Sequence, residues 1–398
     1  MERSLKIRLS VMMFLQYVVP GATTPILSLY LKDHLGFSAS QAGVIMAMPA
    51  AAAIIAPLLA SRLADRWISA SRMLLLCHLS AGLLMLALYQ VRTFPVFVAL
   101  FFVWGMCFAP TFGLTNAVAL HHTADARRDF GGIRLWGTMG WLAVAWAFGY
   151  FWMRGAPAGV RLPHALPVSG LASLVLAAFA LTLRDSPVGT GAAADYGKVL
   201  RLFLRPEMFL LCVLNLLNGA CHQFYYFGMS PYLSQTRFPD RFIMPGMSIG
   251  QLSEVLVLGL LGWFLARMSM KTAMFIGVLA QGLRMVLFAF APNHATVLGG
   301  IALHGFCYAF FFTAAYLYVE SHSTRDTRAG AQQVLTIMIS GAGTLAGFLA
   351  AGWTAQYLTH SSTGLTDYRA FWLVPAGLCA VICVWLLLGF HERPGPEK

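Results

Sequence analysis

"RDSPVGTGAAADYGKVLRLFLRP", residues 184–206, is the only long polar and small-residue stretch in a chain of 398 residues. On either side of it the sequence runs in apolar segments. A spanning helix needs about 20 mostly apolar residues. By that rule six helices precede the stretch, near 7–31, 41–63, 72–91, 94–119, 132–153 and 163–183. Six more follow, near 206–235, 243–266, 272–291, 295–320, 329–358 and 368–390. The stretch therefore divides the chain into an N-terminal six-helix bundle (1–183), a central loop (184–205) and a C-terminal six-helix bundle (206–398).

Composition agrees. The chain is 59% hydrophobic and 11% charged, with a mean hydropathy of +0.70, where a soluble chain has about 25% charged residues. That excludes a water-facing globular protein and predicts an all-α, polytopic membrane protein in contact with the lipid bilayer. The net charge of +12 does not imply a nucleic-acid partner, because the basic residues recur in short clusters between apolar stretches. All seven cysteines fall within apolar stretches and no CxxC occurs, so neither structural disulfides nor a zinc site is expected. "MERSLKIRLSVMMFLQ" (1–16) resembles a signal peptide, but its apolar run continues past Pro20 to about Tyr30; it reads as an uncleaved first helix.

An echo between "LLASRLADR" (58–66) and "LLGWFLARM" (260–268), each after the second helix of its half, suggests duplication. Six plus six helices around a long central loop is the layout of the major facilitator fold. Of the 27 lysines and arginines, 19 fall in the termini, the central loop and every second loop. The opposite loops hold seven, and Arg284 is left inside the ninth helix. Both termini and the central loop are therefore expected in the cytoplasm, with the protein in the cell (inner) membrane. A monomer is expected.

The predicted helices leave no soluble domain for an enzyme site. GxxxxGK[ST], HExxH and metal-spaced histidine–cysteine clusters are all missing from the sequence. No enzymatic activity, cofactor or metal is expected. The chemistry falls to polar groups at membrane depth, which are costly there and usually face a cavity or one another.

In "DFGGIRLWGTMGW" (129–141), Arg134 starts a face continued by Thr138 and Trp141, at i+4 and i+7. Two readings stand: Arg134 snorkels to the interface to meet a headgroup or Asp129, or it points into a central cavity opposite a carboxylate of the other half. Glu254 is the acidic residue well inside a predicted span, with Gln251 one turn earlier. It is either a partner for Arg284 in the next helix or a transport carboxylate that alternates between protonated and charged forms.

The seventh helix, "NLLNGACHQFYYFGM" (215–229), puts Asn215, Asn218 and His222 on one face and Gln223 and Tyr226 on a neighbouring one. In the tenth, His304 and Tyr308 are one turn apart. Interhelical hydrogen bonding is the alternative role for these groups. Candidates for proton coupling are Glu254, Arg134 and His222. Gly343 and Gly347 form a GxxxG that predicts close helix packing. Asp65 and Arg66 read as either a charge lock or a topology signal.

At this point the chain resembles the nucleoside:proton symporters of the major facilitator superfamily. The resemblance rests on "FLQY" (14–17), "LADRWISA" (63–70), "CH" (77–78), "APTFGLTN" (109–116) and "DFGGIRLWGTMG" (129–140). It continues through "LSE" (252–254), "LRMVLFA" (283–289), "VE" (319–320) and "RAGAQ" (328–332). It implies a central cavity lined by Arg134, Thr138, Gln223, Gln251 and Glu254, holding substrate and coupling proton. It also implies proton-coupled import of nucleosides or nucleoside-like solutes by alternating access. Trp141, Tyr226 and Tyr308 supply aromatic faces for a base. Tyr226 and Ala309 stand where family members can show asparagine and aspartate. The alternatives are a proton symporter for a sugar or glycoside and an efflux protein of the same fold. A non-transporting receptor would predict a sizeable extramembrane domain or a long sensory loop, and the sequence has neither.

Overall fold

A computed structural model describes residues 3–64, 68–123, 126–155, 158–183, 196–324 and 326–392. Asp65, Arg66 and most of the central stretch lie outside them. Among the described residues, eleven helical runs are long and apolar enough to cross a membrane. These are α1 (Arg3–His34), α2 (Ala39–Ala64), α3 (Ala70–Leu88), α4 (Phe94–His121), α6 (Leu162–Ala180) and α7 (Pro206–Gln235), then α8 (Asp240–Leu265), α9 (Met270–Phe290), α10 (His294–Ser321), α11 (Arg328–Tyr357) and α12 (Tyr368–Gly389).

The twelfth expected run, α5 (126–152), is as long but more polar: its sequence holds Arg127, Arg128, Asp129 and Arg134. It begins at Ala126, not near 132, because backbone hydrogen bonding carries a helix past the end of its apolar run. Termination requires a cap, not merely a charge. Side-chain caps set several other starts. Ser69 accepts from Arg72 N–H before α3, and Ser269 accepts from Thr272 N–H before α9. The third helix of each half thus opens with the same device.

By internal packing the chain divides into two compact units. One comprises Met1–Thr190 with Leu233–Ser248, the other Gly191–Tyr232 with Ile249–Lys398. The end of α7 and the first turns of α8 thus pack with the first unit.

Within the first unit, α1 packs against α5 and α6, α2 against α4, and α3 against α4 and α6. The α1–α5 contact explains the glycines of "WGTMG". A Cβ at Gly140 would sit 2.1 Å from the Phe14 carbonyl oxygen, and one at Gly137 would sit 2.6 Å from the Tyr17 ring. No larger side chain fits that approach. Four of these helices are also joined by a buried polar network. Gln16 donates to Thr111 Oγ1 at 2.8 Å and meets His78 Nε2 at 2.8 Å through its carbonyl, while His78 Nδ1 meets Ser173 Oγ at 2.9 Å. All four side chains are buried, and pairing them avoids the cost of unsatisfied polar groups in lipid.

The second unit has its own apolar core, including Leu211, Leu214, Val278, Phe310, Phe311, Leu335 and Ile382. The expected GxxxG packing is present. Cβ atoms at Gly343 and Gly347 would lie 2.8 and 2.5 Å from the carbonyl oxygens of Leu216 and Ala220 on α7. At the α10–α11 turn, Arg328 Nε pairs with Glu320 at 2.8 Å and Gln332 donates to the other carboxylate oxygen at 3.3 Å.

Candidate functional site

The polar groups predicted on α7, α8 and α10 converge inside the second unit. α10 departs from a regular helix just there: it turns at Leu303 and winds as a π-helix over Cys307–Thr313. Such irregular turns within spanning helices recur at functional sites, where the backbone is shielded by protein. The helix also seats closely on α8, since a Cβ at Gly305 would lie 2.5 Å from the Ser253 carbonyl group. This brings His304 beside Glu254, with Nε2 3.6 Å from Oε2.

Around that pair, Gln251 donates to the Tyr226 hydroxyl at 3.2 Å. Its own carbonyl oxygen has no partner among the described residues. The His222 ring lies 4.9 Å from that of His304, 5.6 Å from Tyr226 and 6.5 Å from Tyr308. The Glu254 side chain is 24% exposed, and Tyr308 is exposed; His222 and His304 are buried. The cluster thus offers one reachable carboxylate, an amide carbonyl and several aromatic faces.

Gln223 takes a different position. It donates to Thr344 Oγ1 of α11 at 3.2 Å, a partner the sequence did not point to. Ala309 is fully buried among the apolar core residues. Arg284 does not form an ion pair with Glu254 among the described residues. It donates instead to His304 Nδ1 at 2.8 Å, a link missed from sequence although Arg284 stood out as an unassigned cation.

In the first unit, Arg134, Thr138 and Trp141 are half-buried on α5. The Arg134 guanidinium lies over the Tyr17 ring at 4.2 Å, a cation–π contact, and Tyr17 meets Phe112 edge-on at 5.5 Å. Asp129 pairs with Lys6 at 3.7 Å, so the expected alternative of an Arg134–Asp129 pair is not realised. Nothing in the sequence assigns a role to Tyr17 of "FLQY"; the structure makes it the platform for Arg134.

The sequence profile of the family described as "Nucleoside H+ symporter" matches residues 3–394. The chain belongs to that family. It is a membrane transporter and not an enzyme. It is similar to the xanthosine permease of Escherichia coli (strain K12), 31% identical over 425 residues that cover 99% of this chain and 98% of the permease. The nucleoside permease NupG of the same organism is 28% identical over 413 residues, covering 98% and 97%. The crystal structure of the nucleoside transporter NupG matches with a TM-score of 0.87 at 25% identity, covering 98% of this chain and all (100%) of that one. The fold expected from the six-plus-six layout, the major facilitator fold, is the one observed.

Proposed function

We propose that this transporter imports nucleosides together with protons, with Glu254 as the coupling carboxylate. In the second unit the proposed substrate-binding residues are Gln223, Tyr226, Gln251, Glu254 and Tyr308; within the first, Arg134, Thr138 and Trp141 are the candidates on α5. The observation that carries this reading is the partnering at Gln251. Its N–H group is used on Tyr226, while its carbonyl is left over in a cluster with a reachable carboxylate and aromatic rings. A nucleoside presents a flat base, N–H donors on that base and ribose hydroxyls, and those groups match this set. Family membership and likeness to nucleoside and xanthosine permeases support the same substrate class.

Glu254 is preferred over His222 for coupling because a group that exchanges protons with both sides must be reachable. The Glu254 side chain is 24% exposed and His222 is 7% exposed. Melting-temperature measurements on purified protein test the substrate class. Nucleosides are expected to raise the midpoint, since a ligand that binds only the folded state stabilises it. Stabilisation by glycosides alone would favour the sugar symporter instead.

The basic-residue distribution supports cytoplasmic termini. In a background with the native cysteines replaced, a membrane-impermeant thiol reagent should label Arg161→Cys in intact cells and leave Lys198→Cys unlabelled. Labelling at position 198 would reverse the orientation.

A further inference from the structure

Arg284 is fully buried in α9, and a buried charge demands a partner. Its guanidinium stacks over the Tyr225 ring at 4.5 Å and donates through Nη1 to His304 Nδ1 at 2.8 Å. Nε and Nη2 have no partner among the described residues. A guanidinium has donors and no acceptor. His304 Nδ1 must therefore be the accepting, unprotonated nitrogen, and the neutral ring holds its proton on Nε2. That nitrogen is the one 3.6 Å from Glu254 Oε2.

We propose that His304 is a positioning residue for proton coupling: Arg284 fixes its tautomer, and the Nε2–H so presented favours the proton-released form of Glu254. The inference rests on Glu254 being the coupling carboxylate. A donor aimed at a carboxylate favours its charged state and does little for the protonated one. At 3.6 Å the contact is just longer than a hydrogen bond, so a shift of a few tenths of an ångström closes it. The close seating of α10 on α8 at Gly305 keeps the two groups within that range.

Other groups face this link. α7 contributes His222, Tyr225 and Tyr226. Cys307 of α10 and Cys379 of α12 lie within electrostatic reach of Arg284. Arg284 Nη1 is the donor seen at His304 Nδ1, so the tautomer depends on Arg284.

Infrared titration of the purified transporter reads Glu254 directly, through the carboxylic C=O band that Glu254→Gln removes. His304→Phe preserves a ring against His222 but deletes both nitrogens. Its band should persist to higher pH, with the midpoint raised by about one pH unit, a tenfold gain in proton affinity. His304→Gln, whose amide both accepts from Arg284 and donates to Glu254, should return the midpoint most of the way. Should His304→Phe not fold, Arg284→Met, which has no N–H to donate to Nδ1, is expected to move the midpoint in the same direction. A midpoint unmoved in His304→Phe, or in Arg284→Met where that variant stands in, overturns the positioning role alone. An equal shift in His304→Gln does the same. A band untouched by Glu254→Gln overturns the coupling assignment and this inference with it.

Discussion

Glu254→Gln abolishes uphill accumulation of substrate and leaves exchange across the membrane measurable: that is the expected result of removing the carboxylate proposed to carry the coupling proton. Glutamine keeps the shape and the hydrogen bonding of the side chain but cannot lose and regain a proton during the cycle. The contact with His304 persists in altered form, because the amide can still accept through its oxygen. Binding therefore survives while the link to the proton gradient does not. With an imposed pH gradient, the ratio of internal to external substrate should fall to roughly one, and counterflow should continue at a rate within about tenfold of the parent, a change in barrier below roughly 1.4 kcal/mol. Normal pH-driven accumulation by this variant would move the proton site elsewhere, and His222, whose ring lies 4.9 Å from that of His304, is the next group to test.

The second large effect is expected at Gln251. Its amide N–H is held by the Tyr226 hydroxyl, which orients the carbonyl. If a nucleoside donor meets that carbonyl, Gln251→Ala removes the contact and leaves a buried donor of the substrate unpaired. Leaving such a group unsatisfied costs about 1–3 kcal/mol. Affinity should then fall more than tenfold, the equivalent of about 1.4 kcal/mol. Uptake kinetics with uridine and adenosine check this, and the loss should appear mainly in KM, because the contact is made on binding and not at proton release. Unchanged KM for both nucleosides would remove Gln251 from the substrate site. Gln251→Glu provides a contrast: it keeps an acceptor but loses the N–H that fixes it on Tyr226, so it should fall between the parent and alanine.

How far the sequence could be read differs from element to element. Helix α7 was expected over 206–235 and runs Pro206–Gln235, because a proline suited to the first helical turn opens its apolar run. α5 was placed six residues short, since hydrophobicity reports where lipid begins and not where hydrogen bonding does. The site follows the same division. Gln251 and Glu254 stood out because polar groups in apolar helices are rare. The pairing of Arg284 with His304 did not, because it depends on a turn at Leu303 and a close approach at Gly305 that no periodicity announces. The Gln16–His78 contact, between residues 62 apart, is likewise a product of packing. Tyr17 beneath Arg134 shows the same limit: a sequence shows that a cation needs company, and the fold chooses the companion.

Coupling of nucleoside import to protons is tested by transport in a reconstituted membrane. Purified transporter in proteoliposomes, given an inward proton gradient, is assayed for uptake of radiolabelled uridine, adenosine and xanthosine, with glycosides as competitors. Accumulation of at least one nucleoside above its external concentration, collapsed by a protonophore and unaffected by glycosides, is the predicted result. Gradient-driven uptake that glycosides block and nucleosides do not, or nucleoside uptake indifferent to the protonophore, would contradict it.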